Sequence, residues 1–272
     1  MCRARGLFRL TGETPLVGDD AEFEITDPKD REGNITSLGP RRCELQRPSC
    51  ANADMAVVVF AVKDPVVNTL MLDRLLLGMR VRGIPVTLVI NKCDLAGGSG
   101  EVASLAKPYE EADCRIIPTS TKTGEGLDLL SEAFRGKTAV LAGPSGVGKS
   151  SLINCFAPDA AREVGAVSRK LMRGKNTTRE TALFPCVNGG YLVDTPGFTF
   201  VPLPEICAGD LQLYYPEFAP YIGKCRFTGC AHMDEPDCAV KEAVKESLIH
   251  EVRYRMYKSI YAEYKEREAR RY

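Results

Sequence analysis

One nine-residue run, Gly143-Pro144-Ser145-Gly146-Val147-Gly148-Lys149-Ser150-Ser151, restricts what this chain can fold into more than any other feature. The pattern G-x-x-x-x-G-K-S does its work only between a strand and a helix. There the backbone N–H groups turn together toward phosphate oxygens, the lysine reaches the outer phosphates and the next serine offers its hydroxyl to magnesium. Both flanks suit that role. Residues 138–142, Thr-Ala-Val-Leu-Ala, read as a short buried strand, and 149–156 as the first turns of a helix. Gly146 and Gly148 permit the backbone to approach a ligand closely. The run predicts a nucleotide site.

A second motif, Asn91-Lys92-Cys93-Asp94, follows the apolar run 84–90 and lies upstream of the phosphate loop, an inverted order. A carboxylate placed there accepts both the ring N–H and the exocyclic amine of guanine. Adenine offers neither in that arrangement, and a buried carboxylate left unpaired is costly. The aliphatic stem of Lys92 can lie over the base or brace the loop. Ser120-Thr121-Lys122 occupies the place of a second base-contacting loop, although the same residues suit a helix cap.

The surrounding pattern gives the fold class. Apolar runs at 55–62, 84–90, 114–117, 138–142 and 190–194 have buried-strand length, and helical patterns at 67–80, 126–134 and 149–156 separate most of them. Such alternation predicts an α/β fold with a mainly parallel sheet and helices on both faces, ligands gathering at the carboxyl ends of the strands. Residues 1–50, broken by Gly12, Pro15, Gly18, Pro28, Gly33, Gly39 and Pro40, have the texture of a small β module. Past Pro204 a short cysteine-containing segment leads into a predicted long helix over 241–270. Ile249, Val252, Met256, Ile260 and Tyr264 mark an apolar stripe on it, with Tyr257 and Tyr261 beside them.

Composition enters where partners are concerned. The 272 residues carry 36 Lys/Arg and 36 Asp/Glu, so nucleic-acid contact would need local patches. Two exist: Arg162, Arg169, Lys170, Arg173, Lys175 and Arg179 around the 162–179 segment, and a tail over 241–272 with nine Lys/Arg against six Glu. A solvated face explains each as well as RNA does. The 11 cysteines are an odd number and mostly scattered, which fits a reducing cytosol rather than a disulfide scaffold. No stretch has signal-peptide or membrane-spanning character, so the expectation is a soluble, cytoplasmic protein, monomeric by default.

Asp194-Thr-Pro-Gly197 ends another apolar run, and its spacing after the phosphate loop suits a second magnesium element. Asp194 would act directly or through water, and the Gly197 N–H would face the γ-phosphate. Between them lies Gly174-Lys-Asn-Thr-Thr-Arg179, in which either Thr177 or Thr178 could complete the magnesium shell. Cys225, Cys230, His232 and Cys238 gather three thiols and an imidazole within fourteen residues. A closed Cys3His set leaves no position for water or substrate and reads as a structural zinc site. His250 reads as a helix-surface residue.

Taken in chain order, these elements resemble the circularly permuted RsgA/YjeQ family of small ribosomal subunit biogenesis GTPases. The resemblance covers nearly the whole chain, including Pro15-Leu-Val-Gly-Asp19 and Arg47-Pro-x-x-Ala-Asn52-Ala-Asp54. It implies an OB-like barrel over residues 1–50, a permuted GTPase domain over 51–204, and a zinc-binding domain over 205–272. It further implies GTP hydrolysis that is slow alone and stimulated by the 30S subunit, with GTP/GDP, the subunit and its rRNA as partners and magnesium accompanying GTP. Two features depart from the family's usual pattern. Members begin about a strand and a turn earlier, so the barrel is expected to lack its first strand. They carry His where this chain has Asn176, which can orient water but cannot act as a base at neutral pH. Phe198 stands where many small GTPases place a water-orienting Gln. Intrinsic turnover should therefore be weak. A GTP-controlled rRNA-binding module with little turnover is the alternative.

Overall fold

The computed structural model describes residues 2–4, 8, 12–30, 32–46, 49–158, 181–194 and 202–270. The strands are β1 (Cys2–Ala4), β2 (Ala21–Asp27), β3 (Glu32–Leu38), β4 (Glu44–Gln46), β5 (Ser49–Ala51), β6 (Met55–Ala61), β7 (Val86–Asn91), β8 (Arg115–Pro118), β9 (Thr138–Ala142), β10 (Ala182–Pro185) and β11 (Tyr191–Asp194). The helices are α1 (Thr69–Val81), α2 (Ser99–Ala106), α3 (Leu127–Ala133), α4 (Lys149–Phe156), α5 (Ala239–Lys245) and α6 (Glu251–Ala269). The chain divides into two compact units, one of residues 1–55, 134–140 and 153–196, the other of 56–133, 141–152 and 197–272.

In the first unit β1, β3 and β2 form a three-stranded sheet in that order, with β1 parallel to β3 and β2 antiparallel to it. The turn between β2 and β3 is closed by Asp27, whose carboxylate accepts from the Lys29 and Asp30 N–H groups at 2.8 and 3.1 Å. β4 and β5 pair as a hairpin. A Cβ on Gly18 (φ +93°) would meet the Ala51 carbonyl oxygen at 2.2 Å, so only glycine lets the 15–19 loop lie on β5. Asn52 secures the same junction, donating to Gly18 O at 3.1 Å and accepting from Arg42 N at 2.8 Å. Asp54 then fixes the start of β9, its N–H meeting Thr138 O at 2.9 Å and its carboxylate accepting from Thr138 N at 2.8 Å. Burial pushes this carboxyl up, but the Thr138 N–H and Arg42 outweigh it and hold it below the usual range. β10, β11 and β9 are neighbours in that order, β11 running parallel to β9.

In the second unit the end of β9, then β6, β7 and β8 lie side by side, β6–β7 and β7–β8 parallel. All seven residues of β6 are buried, which explains a run with no polar alternation. Asn68 caps α1 by accepting from Met71 N at 3.0 Å. Strand and helix limits differ from the sequence reading by one or two residues, except at 138–142 and 149–156, where they coincide.

The helix predicted over 241–270 is a correction: it is broken into α5 and α6. Ser247 adopts a left-handed conformation (φ +60°), and the Leu248 and Ile249 N–H groups both return to Ala243 O at 2.9 and 3.2 Å. His250 is not a surface helix residue but the cap of α6, its Nδ1 accepting from Val252 N at 3.2 Å. The break turns Ile249 inward, where it is 1% exposed. The apolar stripe packs as expected, with Ile249, Tyr257, Ile260 and Tyr264 in one core with Leu211, Tyr215, Phe218 and Val240.

Candidate functional site

The phosphate loop lies directly on two neighbours in the second unit. A Cβ on Gly143 (φ +144°) would meet Val59 O of β6 at 2.1 Å, and one on Gly148 (φ +102°) would meet Asn91 Nδ2 at 2.2 Å. Asn91, at the end of β7 and fully buried, is a strut between loops: it donates to Val147 O at 2.8 Å and accepts from the Thr119 hydroxyl at 3.0 Å. Lys149 is buried, its ammonium donating to the Gly143 and Pro144 carbonyls at 2.7 Å each. Val147 is buried as well, whereas Ser145, Gly146, Ser150 and Ser151 stand exposed on the open side of the loop. That arrangement leaves the Ser150 hydroxyl, at the start of α4, facing solvent where a cation beside phosphate would sit.

The base-reading segments come together too. The Ser120 hydroxyl donates to Asp94 Oδ1 at 2.6 Å, and Lys122 Nζ lies 3.9 Å from Asp94 Oδ2. Ser120 Oγ in turn accepts from the Lys122 and Thr123 N–H groups at 3.3 and 3.2 Å, which folds 120–123 into a tight turn beside Thr121. Since α3 begins at Leu127, these residues do not cap it. The Asp94 side chain is only 14% exposed, so its carboxylate is held in place with part of its acceptor capacity satisfied. Lys92 braces rather than covers: in a left-handed conformation, it donates from its ammonium to the Asp64 carbonyl. Asp194 ends β11 in the first unit and is half-buried. Asn176, Thr177, Thr178, Gly197, Phe198 and the basic 162–179 segment lie outside the described residues.

Cys225, Cys230, His232 and Cys238 bring four donor atoms within 4.8 Å of one another. Cys225 Sγ is 3.8 Å from Cys238 Sγ, and His232 Nδ1 is 3.6 and 3.3 Å from those two sulfurs. Metal–sulfur and metal–nitrogen bonds of about 2.3 and 2.0 Å set tetrahedral edges of about 3.8 Å between sulfurs and about 3.5 Å between nitrogen and sulfur. The donors therefore fit a metal ion. The His232 N–H points at Cys230 Sγ at 3.4 Å, a bond that would stabilise a thiolate. Glu235 locks the knuckle, accepting from the Ala231 and Met233 N–H groups at 2.8 Å each. Burial pushes its carboxyl up, but these amides prevail and hold it below its ordinary value. Tyr254 and Tyr257 of α6 donate to His232 O and Ala231 O at 2.7 and 2.9 Å, fastening the cluster to the helix.

A buried ionic group went unread in the sequence. Arg253, counted there among the basic residues of the tail, faces inward and pairs with Asp73 of α1 and, from Nε at 2.7 Å, with Glu217. The three side chains are 3%, 0% and 3% exposed. Its guanidinium lies 4.7 Å from the Tyr215 ring centroid, and Tyr109 donates to Asp73 at 3.2 Å. Two carboxylates thus share one cation in a dry site. Burial pushes Asp73 up to about 6, with Arg253 opposing and Glu217 reinforcing the shift. The missed signal was a charge falling on the apolar stripe, since 253, 257, 260 and 264 lie on one helix face.

A phosphate loop that follows its own guanine-type loop in chain order, both carried at the ends of parallel strands, defines a circularly permuted GTPase. The family model described as RsgA GTPase matches residues 38–203, and the RsgA N-terminal domain model matches residues 1–35. A curated relative from Agathobacter rectalis, named small ribosomal subunit biogenesis GTPase RsgA, is 45% identical over 98% of this chain and 88% of its own. The crystal structure of YjeQ from Thermotoga maritima superposes with a TM-score of 0.79 at 35% identity, covering 97% of this chain and 89% of that one. YloQ, titled a circularly permuted GTPase, superposes with a TM-score of 0.75 at 34% identity, covering 98% and 86%. The chain belongs to the RsgA GTPase family, and it is a GTP-hydrolysing enzyme. No helix among the described residues is long and apolar enough to cross a membrane.

Proposed function

We propose that this GTPase acts in late maturation of the small ribosomal subunit, hydrolysing GTP to GDP and phosphate while bound to the subunit and its rRNA, as a cytoplasmic monomer. The observation that carries the reading is the strut at Asn91, which ties the base-selecting segment to the phosphate loop through Val147 O and to the 119–122 loop through Thr119. Guanine would be held by Asn91 and Asp94, with Lys92 bracing the loop and Ser120, Thr121 and Lys122 closing over it. The phosphates would lie in Gly143 to Ser151. Magnesium arriving with GTP supplies charge neutralisation at the transferred phosphoryl group. Ser150, Asp194 and either Thr177 or Thr178 would hold it. Lys149 and the Gly197 N–H would meet the charge that develops as water attacks in line. Asn176 would orient that water without removing its proton.

The Cys225, Cys230, His232 and Cys238 donors fit zinc best, since three thiolates and one imidazole in a closed tetrahedron suit that ion. Residues 1–50, 51–204 and 205–272 would serve as an RNA-facing β module, the GTPase and the metal-bearing domain.

Steady-state GTP hydrolysis with and without isolated small subunits tests the reading, with large subunits and ATP as controls. Stimulation by the small subunit alone is the expected result. GTP-dependent subunit binding without added turnover would instead support a switch-like binding module, the reading that Asn176 and Phe198 favour.

A further inference from the structure

We propose that Gln212 is a positioning residue that fixes His232 as an Nδ1 metal ligand, an inference that rests on the metal reading of the cysteine–histidine cluster. The side-chain amide of Gln212 has its orientation set independently of the histidine. Its Nε2 donates to Gly209 O at 3.0 Å, and a carbonyl oxygen can only accept, so the NH2 group must face that way. Gln212 Oε1 is thereby turned to His232 Nε2, 2.8 Å away. An amide oxygen also only accepts, so Nε2 must carry the ring proton. In a neutral imidazole the other nitrogen is then bare. That nitrogen, Nδ1, is the one lying 3.3 and 3.6 Å from the Cys238 and Cys225 sulfurs.

The rest of the environment keeps the ring in this pose. His232 is 1% exposed, and Phe218 meets it edge-on, the ring centroids 5.9 Å apart and the planes at 88°. Its carbonyl is held by Tyr254. Gln212 is anchored through its neighbour Leu211, which is fully buried in the same core. The Gly209–Gln212–His232 relay thus selects one tautomer before any ion arrives. An outer partner of this kind orients the ligand and makes the ligating nitrogen more basic.

Two measurements on the full-length protein test this. Zinc affinity is read by competition with a chromophoric chelator for the wild type, Gln212→Leu and Gln212→Glu. Loss of the acceptor in Gln212→Leu should weaken zinc binding about 10- to 100-fold. Gln212→Glu keeps an acceptor toward Nε2 and should bind zinc more tightly than Gln212→Leu by about the same margin. In parallel, long-range 1H–15N spectra of the zinc-loaded wild type, which contains only His232 and His250, should show His232 protonated at Nε2 and metal-bound at Nδ1. Affinity of Gln212→Leu within twofold of wild type, or a proton on Nδ1 in the loaded protein, overturns the inference while leaving the metal reading intact. A wild type that takes up no zinc overturns both. The spectra need no variant, so misfolding of Gln212→Leu leaves the second measurement decisive.

Discussion

Arg253→Met removes the guanidinium that Asp73 and Glu217 share while keeping most of the side-chain volume, and the cost should depend on pH. With side chains at most 3% exposed, neither carboxylate can turn to water in place of the lost cation. Both will fold as neutral acids. Holding a carboxyl of ordinary value near 4 protonated at pH 7 costs about 4 kcal/mol, at about 1.4 kcal/mol per pH unit. Asp73, already pushed up to about 6, bears roughly 3 kcal/mol of that in the wild type, so it adds about 1. Glu217 loses the same guanidinium, and removing one partner of a buried ion pair generally costs about 3–5 kcal/mol in all. Loss of the contact with the Tyr215 ring, desolvated here, adds about 2 kcal/mol that does not change with pH. At pH 5 protonating an acid costs only about 1.4 kcal/mol, and the charge-dependent part of the penalty should shrink to about 1–2 kcal/mol. Urea unfolding followed by circular dichroism, wild type against variant at pH 7 and pH 5, reads both values. Adding Glu217→Gln to Arg253→Met should recover most of the loss at pH 7. A penalty under about 1 kcal/mol at pH 7, or one equal at the two pH values, would refute the argument that charge burial governs this site.

Three further outcomes follow from named contacts. Asp73 in the folded protein titrates at about 6, above its ordinary 3.8, so the stability it contributes is fully present below pH ~4 and lost as pH rises through about 6. Asp73→Asn should remove that slope, the wild-type-minus-variant difference in unfolding free energy falling by up to about 3 kcal/mol between pH 4 and pH 7; a flat difference would count against it. Asp94→Asn removes the charge and replaces one of its two acceptor oxygens with a donor, and guanosine diphosphate affinity should fall about 10²- to 10⁴-fold in a fluorescent-nucleotide competition while xanthosine diphosphate, with a carbonyl in place of the amine, gains. Unchanged guanosine diphosphate binding would remove Asp94 from the base site. Gly148→Ala drives a methyl group to 2.2 Å from Asn91 Nδ2 at φ +102°, so nucleotide binding and at least about 2 kcal/mol of stability should both go. Wild-type behaviour in calorimetry would show that the loop is free to move off the strut.

What the sequence made legible were the features whose chemistry is local. A phosphate loop is a backbone conformation written in closely spaced glycines, and a metal knuckle is four donors within fourteen residues, so both were readable at once. Buried strands such as β6 were legible because water excluded from both faces erases polar alternation. The break at Ser247 was not, because no glycine or proline marks it. Ser247 takes a left-handed conformation at some cost, which the burial of Ile249 and the His250 cap offset. The partners of long separation were equally silent. Arg253 finds Asp73 across 180 positions and Gln212 finds His232 across 20, distances over which only the completed fold decides who meets whom. Asn91 lies between these cases. Its place in the guanine motif was plain, yet its second task was visible only once Gly148 was seen to clear space for its amide and Val147 to accept from it. In a permuted chain the base-selecting loop is made 56 residues before the loop it must brace, so that single hydrogen bond restores by side-chain contact a relation that chain order no longer provides.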